Sequence, residues 1–211
     1  LSHFTSKWDA SGQIPERAVL DGTISHFGAI DSTEGGNTSR SNFNLQFDKK
    51  INEKEFIKNN IYLNKYDFEL FSNFTFFLND PVNGDQIKQK ESRIITGFQS
   101  EYNNKINQEF YLKIGGGLRN DATKNTELSH TVNRDTTLAY LSLGNINQSN
   151  LFGYSSLDFS KGKWLINAGL RLDYFKFNYI DKLASKYVTQ NQTKAILSPK
   201  LNFLYVENNS L

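Results

Sequence analysis

Residues Trp164 to Tyr174 read WLINAGLRLDY, and alternate positions carry the apolar side chains: Trp164, Ile166, Ala168, Leu170, Leu172 and Tyr174, set against Asn167, Gly169, Arg171 and Asp173. A repeat of two is the period of a β-strand, whose successive side chains point to opposite faces, so this stretch predicts a strand with one greasy and one polar side. Aromatic residues open and close the greasy row. That is the pattern of a strand that crosses a bilayer and leaves a ring at each lipid–water interface.

The same design recurs outward from this segment. Downstream, Leu197, Pro199, Leu201, Phe203 and Tyr205 oppose Lys200 and Asn202. Pro199 has no backbone donor and is expected at a strand start or an irregularity. Upstream, Phe110, Leu112, Ile114 and Leu118 oppose Tyr111, Lys113 and Arg119, and Ile94, Phe98 and Tyr102 oppose Arg93, Gln99 and Glu101. Phe43, Leu45 and Phe47 alternate with Asn42, Asn44 and Gln46, while Phe4, Ser6 and Trp8 share one side of the first segment. One segment changes phase. Ile57, Ile61 and Leu63 are odd, whereas Tyr66, Phe68, Leu70, Phe74, Phe76 and Leu78 are even. Either a bulge near Asn64 and Lys65 reconciles them, or the upper part of a long strand projects beyond the membrane.

Long connections (10–36, 80–91, 120–146 and 181–195) alternate strictly with short ones (49–53, 103–107 and 160–163). In an up-and-down outer-membrane barrel short turns face the periplasm and long loops face outside, so the alternation predicts topology. The count is eight strands in four hairpins, with Thr136 to Leu143 able to add a strand pair inside its loop. The fold expected is all-β: an antiparallel up-and-down transmembrane β-barrel segment in a single unit over residues 1–211.

Composition excludes several classes. Twenty-four basic against 22 acidic residues give a net charge of +2, which does not suggest a nucleic-acid partner. No apolar run reaches the roughly 18 residues of a membrane helix, a test to which barrel strands are blind. The absence of cysteine removes disulfides, thiolate metal sites and thiol catalysis, and no cofactor is implied. The chain has no Met and no signal sequence before Leu1, and is expected to be processed or excised.

At SKWDASGQIPERAV (6–19), FSNFTFFLNDPVNGDQI (71–87), LSHTVNR (128–134), AGLRLDYFKFNYIDKL (168–183) and LSPKLNFLY (197–205), the chain resembles TonB-dependent outer-membrane receptors, with closest likeness to those of Bacteroidetes-type bacteria. The resemblance implies a 22-stranded barrel in the outer membrane of a Gram-negative bacterium and a plug domain filling its lumen. It also implies energy delivered through TonB, and uptake of a scarce small nutrient such as a ferric siderophore. It places this chain in the middle of the barrel, about eight strands, without the plug, the TonB-contacting segment or the terminal strands.

Gly115, Gly116 and Gly117 lie within an alternating strand and open no helix, so they fit sheet curvature or close approach of another backbone, not a phosphate loop. His3, His26 and His130 have no metal-ligand spacing. No nucleophile motif is present, and the reading is not an enzyme. Arg93, Lys113, Arg119, Arg171 and Asp173 are expected to face the lumen, pairing with neighbouring strands, lining the pathway or meeting the plug. Trp8, Arg17, His26, Arg40, His130 and Arg134 are the loop or rim candidates for ligand recognition, since Arg suits carboxylate or phosphate and Trp offers a stacking face. Two rival architectures stay open: a complete eight-stranded adhesion or structural barrel, and a soluble β-sandwich binding module.

Overall fold

The structure, a computed structural model, describes residues 1–186 and 189–207. Eight strands form one antiparallel sheet in chain order. They are β1 (Ser2–Asp9), β2 (Gly35–Lys50), β3 (Glu55–Ser72), β4 (Ile87–Lys105), β5 (Phe110–Val132), β6 (Thr136–Lys161), β7 (Trp164–Asp181) and β8 (Thr189–Tyr205). Each pairs with the next, and β1 and β8 do not pair with each other. The open meander disfavours a closed eight-stranded barrel, and no second sheet covers either face among the described residues, which disfavours the sandwich.

Register separates the two faces. On β7 and β8 Trp164 stands opposite Tyr205, Ile166 opposite Phe203 and Leu170 opposite Pro199. Pro199 therefore lies mid-strand without a register shift, against the expectation from sequence. β8 is the last strand of the described sheet, and a residue whose N–H would point away from β7 loses no bond to it. The same face carries Phe159, Leu157 and Leu151 on β6, Phe110, Leu112, Ile114 and Leu118 on β5, then Tyr102, Phe98 and Ile94 on β4. It continues as Ile57, Ile61 and Leu63 on β3 and Phe47, Leu45 and Phe43 on β2. Aromatic contacts cluster at its foot, Trp164 on Tyr205 at 4.7 Å and Phe110 on Phe159 at 5.0 Å.

The apolar band slides along the strands. Leu201, the middle of its row on β8, is joined by register through Ala168, Leu157, Leu112 and Asn104 to Glu55 on β3. The β3 row, 57–63, is centred on position 60, which is 60 − 55 = 5 residues further on. About 17 Å of slide over five strand spacings, about 24 Å, gives a tilt of roughly 35°. A level apolar band on a tilted sheet has this geometry, and the angle falls at the edge of the ~35–45° range of membrane barrels.

Above the band the faces exchange character. Lys88 reaches Glu69 at 3.5 Å and Glu127 at 3.6 Å, and Lys90 reaches Glu69 at 3.5 Å, all on the outward face. On the inward face Phe4, Trp8, Tyr66, Phe68 and Leu70 join the register rows of Arg40 and Arg93. The aromatic row of β1 is thus on the polar side of the sheet. No bulge occurs at Asn64 and Lys65, where β3 is in continuous register with both neighbours. The phase change in β3 is one of depth: beyond the apolar band the outward face carries charges and the inward face takes the rings.

The breaks lie elsewhere, between Lys90 and Ser92 on β4 and at three points of the β5–β6 ladder. They explain why 120–146 read as a loop. β5 and β6 run on as a hairpin closed only by residues 133–135, but the register shifts erase the period of two and neither face is greasy there. β8 likewise starts at Thr189, well inside the expected 181–195 loop, and β3 ends at Ser72, leaving Phe74, Phe76 and Leu78 in a connection. The first connection holds a one-turn helix, α1 (Glu16–Leu20), which no sequence periodicity announces.

Candidate functional site

Four arginines on the inward face follow one rule: each reaches along its own strand to a residue two positions away, which a pleated strand sets on the same side. Arg171 is bidentate to Asp173 at 2.7 and 2.8 Å, and Arg119 to Asp121 at 2.9–3.2 Å. Arg93 meets Glu91 at 3.0 Å, and the Arg40 Nε donates to the Asn42 amide oxygen at 3.0 Å. Lys113 pairs with Asp158 on β6 at 3.1 Å. The five residues expected on the lumenal side therefore share one face, and each cation among them has a carboxylate partner.

Rings lie flat between these pairs. A side chain on Gly97 would occupy the place of Tyr62 and one on Gly115 that of Tyr154, while one on Gly117 would meet the Phe98 carbonyl first and then the Phe152 ring. Glycine is needed at these positions because a cross-strand ring covers the backbone, and the ring restores the buried area glycine lacks. Phe152 in turn carries the Arg171 guanidinium 4.1 Å from its centroid, and the Tyr154 hydroxyl donates to Glu101 at 2.7 Å.

A second assembly gathers the long connections. Residues 133–135 turn with Asn133 and Arg134 both at positive φ, 56° and 62°, and the Asp135 amide donates to the Val132 carbonyl at 3.1 Å. A left-handed arginine costs on the order of 1–2 kcal/mol. It is held because its guanidinium donates to the carbonyls of Thr33 and Glu34 and to the Asp9 carboxylate at 2.8 Å, above the Phe71 ring. Its backbone amide donates to the Gln86 side chain at 2.9 Å, which Thr131 also contacts. Gly35 has φ 138° and no room for a methyl group, whose carbon would fall 2.6 Å from the Arg134 guanidinium.

Around this centre, Phe71 apart, the buried side chains are polar. Glu34 accepts the Asn73 amide at 2.9 Å, and the Asn73 side chain donates to Asp31 at 2.9 Å. Burial pushes the Glu34 carboxyl above its ordinary value. Burial also acts on Asp31, but hydrogen bonds from Thr33, Asn73 and Gln86 outweigh it and hold that carboxyl below its ordinary range. Backbone donors from Asn79 and Asp80 lower Asp85. Connections 10–34 and 73–86 and the β5–β6 hairpin are thereby tied into one clasp.

The rim candidates divide accordingly. Arg134 is the centre of the clasp, and His130 is bonded to the Gly84 carbonyl at 2.6 Å within it. Trp8 lies on the inward wall 6.4 Å from Phe68, and Arg40 stands two strands from Arg93 in the same register row. Arg17, on α1, and His26, edge-on to Phe27, are exposed and make no side-chain hydrogen bond or ion pair among the described residues. Sequence reasoning passed over Glu34, Asn73, Gln86, Asn42 and Tyr66. Asn73 and Gln86 fall inside the conspicuous string 71–87, but no periodicity marks a residue whose partners are 39 to 55 positions away.

Comparison with known proteins follows this geometry. No curated protein sequence matches the chain. Among solved structures, the ferric citrate transporter FecA in its unliganded form matches 99% of this chain with a TM-score of 0.79 at 12% identity. The ferric-catecholate import receptor Fiu of E. coli K12 matches 92% with a TM-score of 0.50 at 12% identity. The chain spans about a third of those proteins, 31% and 34% of their lengths, and at such identity the likeness is one of fold. The model of the "TonB dependent receptor-like, beta-barrel" family matches residues 3–211, and the chain belongs to that family, one of receptors and not of enzymes.

Proposed function

We propose that this chain is part of the outer-membrane wall of an active importer. Its lumen holds a plug domain, its energy arrives through TonB, and its cargo is a small, scarce nutrient captured on the side of the long connections. The observation that carries this reading is the division of one tilted sheet into a level apolar band, ringed by aromatics at its foot, and an opposite face of paired charges. That is what lipid on one side and a wet lumen on the other require. A ferric chelate is the first cargo to test, since both solved neighbours are named for one. Trp8 and Arg40 on the wall, with Arg17 and His26 on the first connection, are the ligand contacts proposed. His130 and Arg134 hold the loops that present them.

The experiment is uptake of radiolabelled iron chelates by cells with and without the receptor, each with and without a protonophore. Receptor-dependent uptake abolished by the protonophore is expected. Uptake indifferent to the protonophore would refute active import, and receptor-independent uptake of every chelate tested would remove iron as the cargo.

A further inference from the structure

Of the four inward arginines that reach two residues along their own strand, three end on a carboxylate and one does not. Asp173, Asp121 and Glu91 cancel the charges of Arg171, Arg119 and Arg93. Arg40 has the same geometry, but its partner is the neutral amide of Asn42, and among the described residues no carboxylate lies within 4 Å of its guanidinium. Its side chain is exposed to the space the wall faces. Rings surround it. Phe4 and Tyr66 are its direct partners across the ladder, and Tyr66 stacks on Phe68 at 6.2 Å and 15°, with Trp8 against the far side of Phe68.

We infer that Arg40, with Tyr66 and Phe68, is an anion-and-ring subsite of the wall, selecting a ligand that carries a carboxylate or phenolate on a flat unsaturated ring. This rests on the import reading and narrows it. A guanidinium already neutralised two residues away has little attraction left for a ligand, so of the four arginines only Arg40 keeps its full charge, and it stands between Phe4 and Tyr66. The stacked rings beside it offer a face to a planar group. The charge sits above the apolar band, at the level where the inward face turns aromatic and a ligand descending from the long connections meets the wall first.

The structure supplies its own test. Asn42→Asp converts Arg40 into a fourth neutralised pair of the kind Arg171 and Asp173 already form, so the fold is retained and only the charge is removed. Equilibrium binding to the detergent-purified full-length receptor is measured with three probes: salicylate (anion with a ring), succinate (anion without one) and cellobiose (neutral). Salicylate is expected to bind tightest. Asn42→Asp should weaken salicylate and succinate about tenfold, near the low end of the coupling seen for close charge pairs, and Asn42→Gln should change neither. Phe68→Leu should weaken salicylate alone. Binding of salicylate to Asn42→Asp within twofold of the unaltered receptor, cellobiose binding as tightly as salicylate, or no binding of any probe overturns the inference. Faster proteolysis of the lumenal domain in Asn42→Asp with salicylate affinity unchanged would assign Arg40 to that domain and overturn it as well. Energised uptake that survives these results would leave the importer standing without this subsite, whereas its absence beside intact probe binding would reject the importer alone.

Discussion

Replacing Leu170 by Arg sets a guanidinium in the middle of the apolar face. Leu170 is six residues from Trp164 and four from Tyr174 on the same strand. At about 3.3 Å per residue and a tilt of roughly 35°, it sits about 16 Å above the lower ring and about 11 Å below the upper one. Its register partners are Pro199 and Ser155, and neither offers a carboxylate. A cation at that depth of a barrel wall costs about 2–4 kcal/mol, and ~3 kcal/mol lowers the folded-to-unfolded ratio roughly 150-fold. Asn167→Arg is the control. It lies three residues away on the opposite face, beside Asp158, which already accepts from the Asn167 amide and pairs with Lys113. A cation there gains a partner and should cost less than about 1 kcal/mol. Urea unfolding of the full-length receptor in vesicles, with the heat-dependent shift in gel mobility as a measure of folded yield, reads both. Equal losses, or a greater loss for Asn167→Arg, would show that the two faces have been assigned the wrong way round.

Arg134→Ala removes two bonds to buried carbonyls and one ion pair to an exposed Asp9, and should loosen the clasp by about 2–3 kcal/mol without unfolding the wall. Trypsin cleavage after Arg17 on intact cells should then accelerate several-fold, and an unchanged rate would mean the connections are held by something else. The clasp should also respond to pH in two directions. Glu34, raised by burial, is disfavoured as a carboxylate, so protection of the connections from proteolysis should rise as pH falls through its elevated value toward the ordinary 4.5. Asp31 and Asp85 are lowered, so their stabilisation is present above the ordinary value of 3.8 and is lost as pH falls through their depressed folded values. A monotonic decline from pH 7 downward would contradict the role given to Glu34. For orientation, cysteine replacing the exposed Phe27 should react with an impermeant maleimide on intact cells, and cysteine replacing Lys163, in the two-residue turn before β7, only after permeabilisation. The reverse pattern would invert the topology.

How far the sequence could be read depended on where the solvent changes. Within the apolar band most outward positions are greasy and most inward ones polar, so the rows around Trp164, Phe110 and Phe98 were legible from a repeat of two. Beyond the band that contrast disappears. At the upper ends of β5 and β6 both faces are polar and the register shifts break the period, so residues 120–132 and 144–146 passed for a loop, and 136–143 were expected as a strand pair of their own when they are the start of β6. Tyr66 and Phe68 kept the alternation but reversed its meaning, because above the apolar band the rings lie on the inward face. The inward position of Arg171 and Asp173 followed from parity. That Arg134 closes a clasp did not, since its partners Asp9 and Thr33 lie more than a hundred positions away and only the folded sheet brings them together.

The paired arginines bear on how such a wall changes over generations. Where a cation and its canceller sit two residues apart on one strand, exchanging an acidic residue for its amide alters the charge shown to the lumen while the side-chain contact survives. The codons of asparagine and aspartate differ at a single base. Each pair is then an inherited switch that one substitution can throw, with no cost to the ladder beneath it. If the inward face meets the cargo as proposed, a lineage facing a new nutrient can move the charged spot from Arg40 to the places of Arg93, Arg119 or Arg171 and back, writing a new ligand preference onto an unchanged architecture.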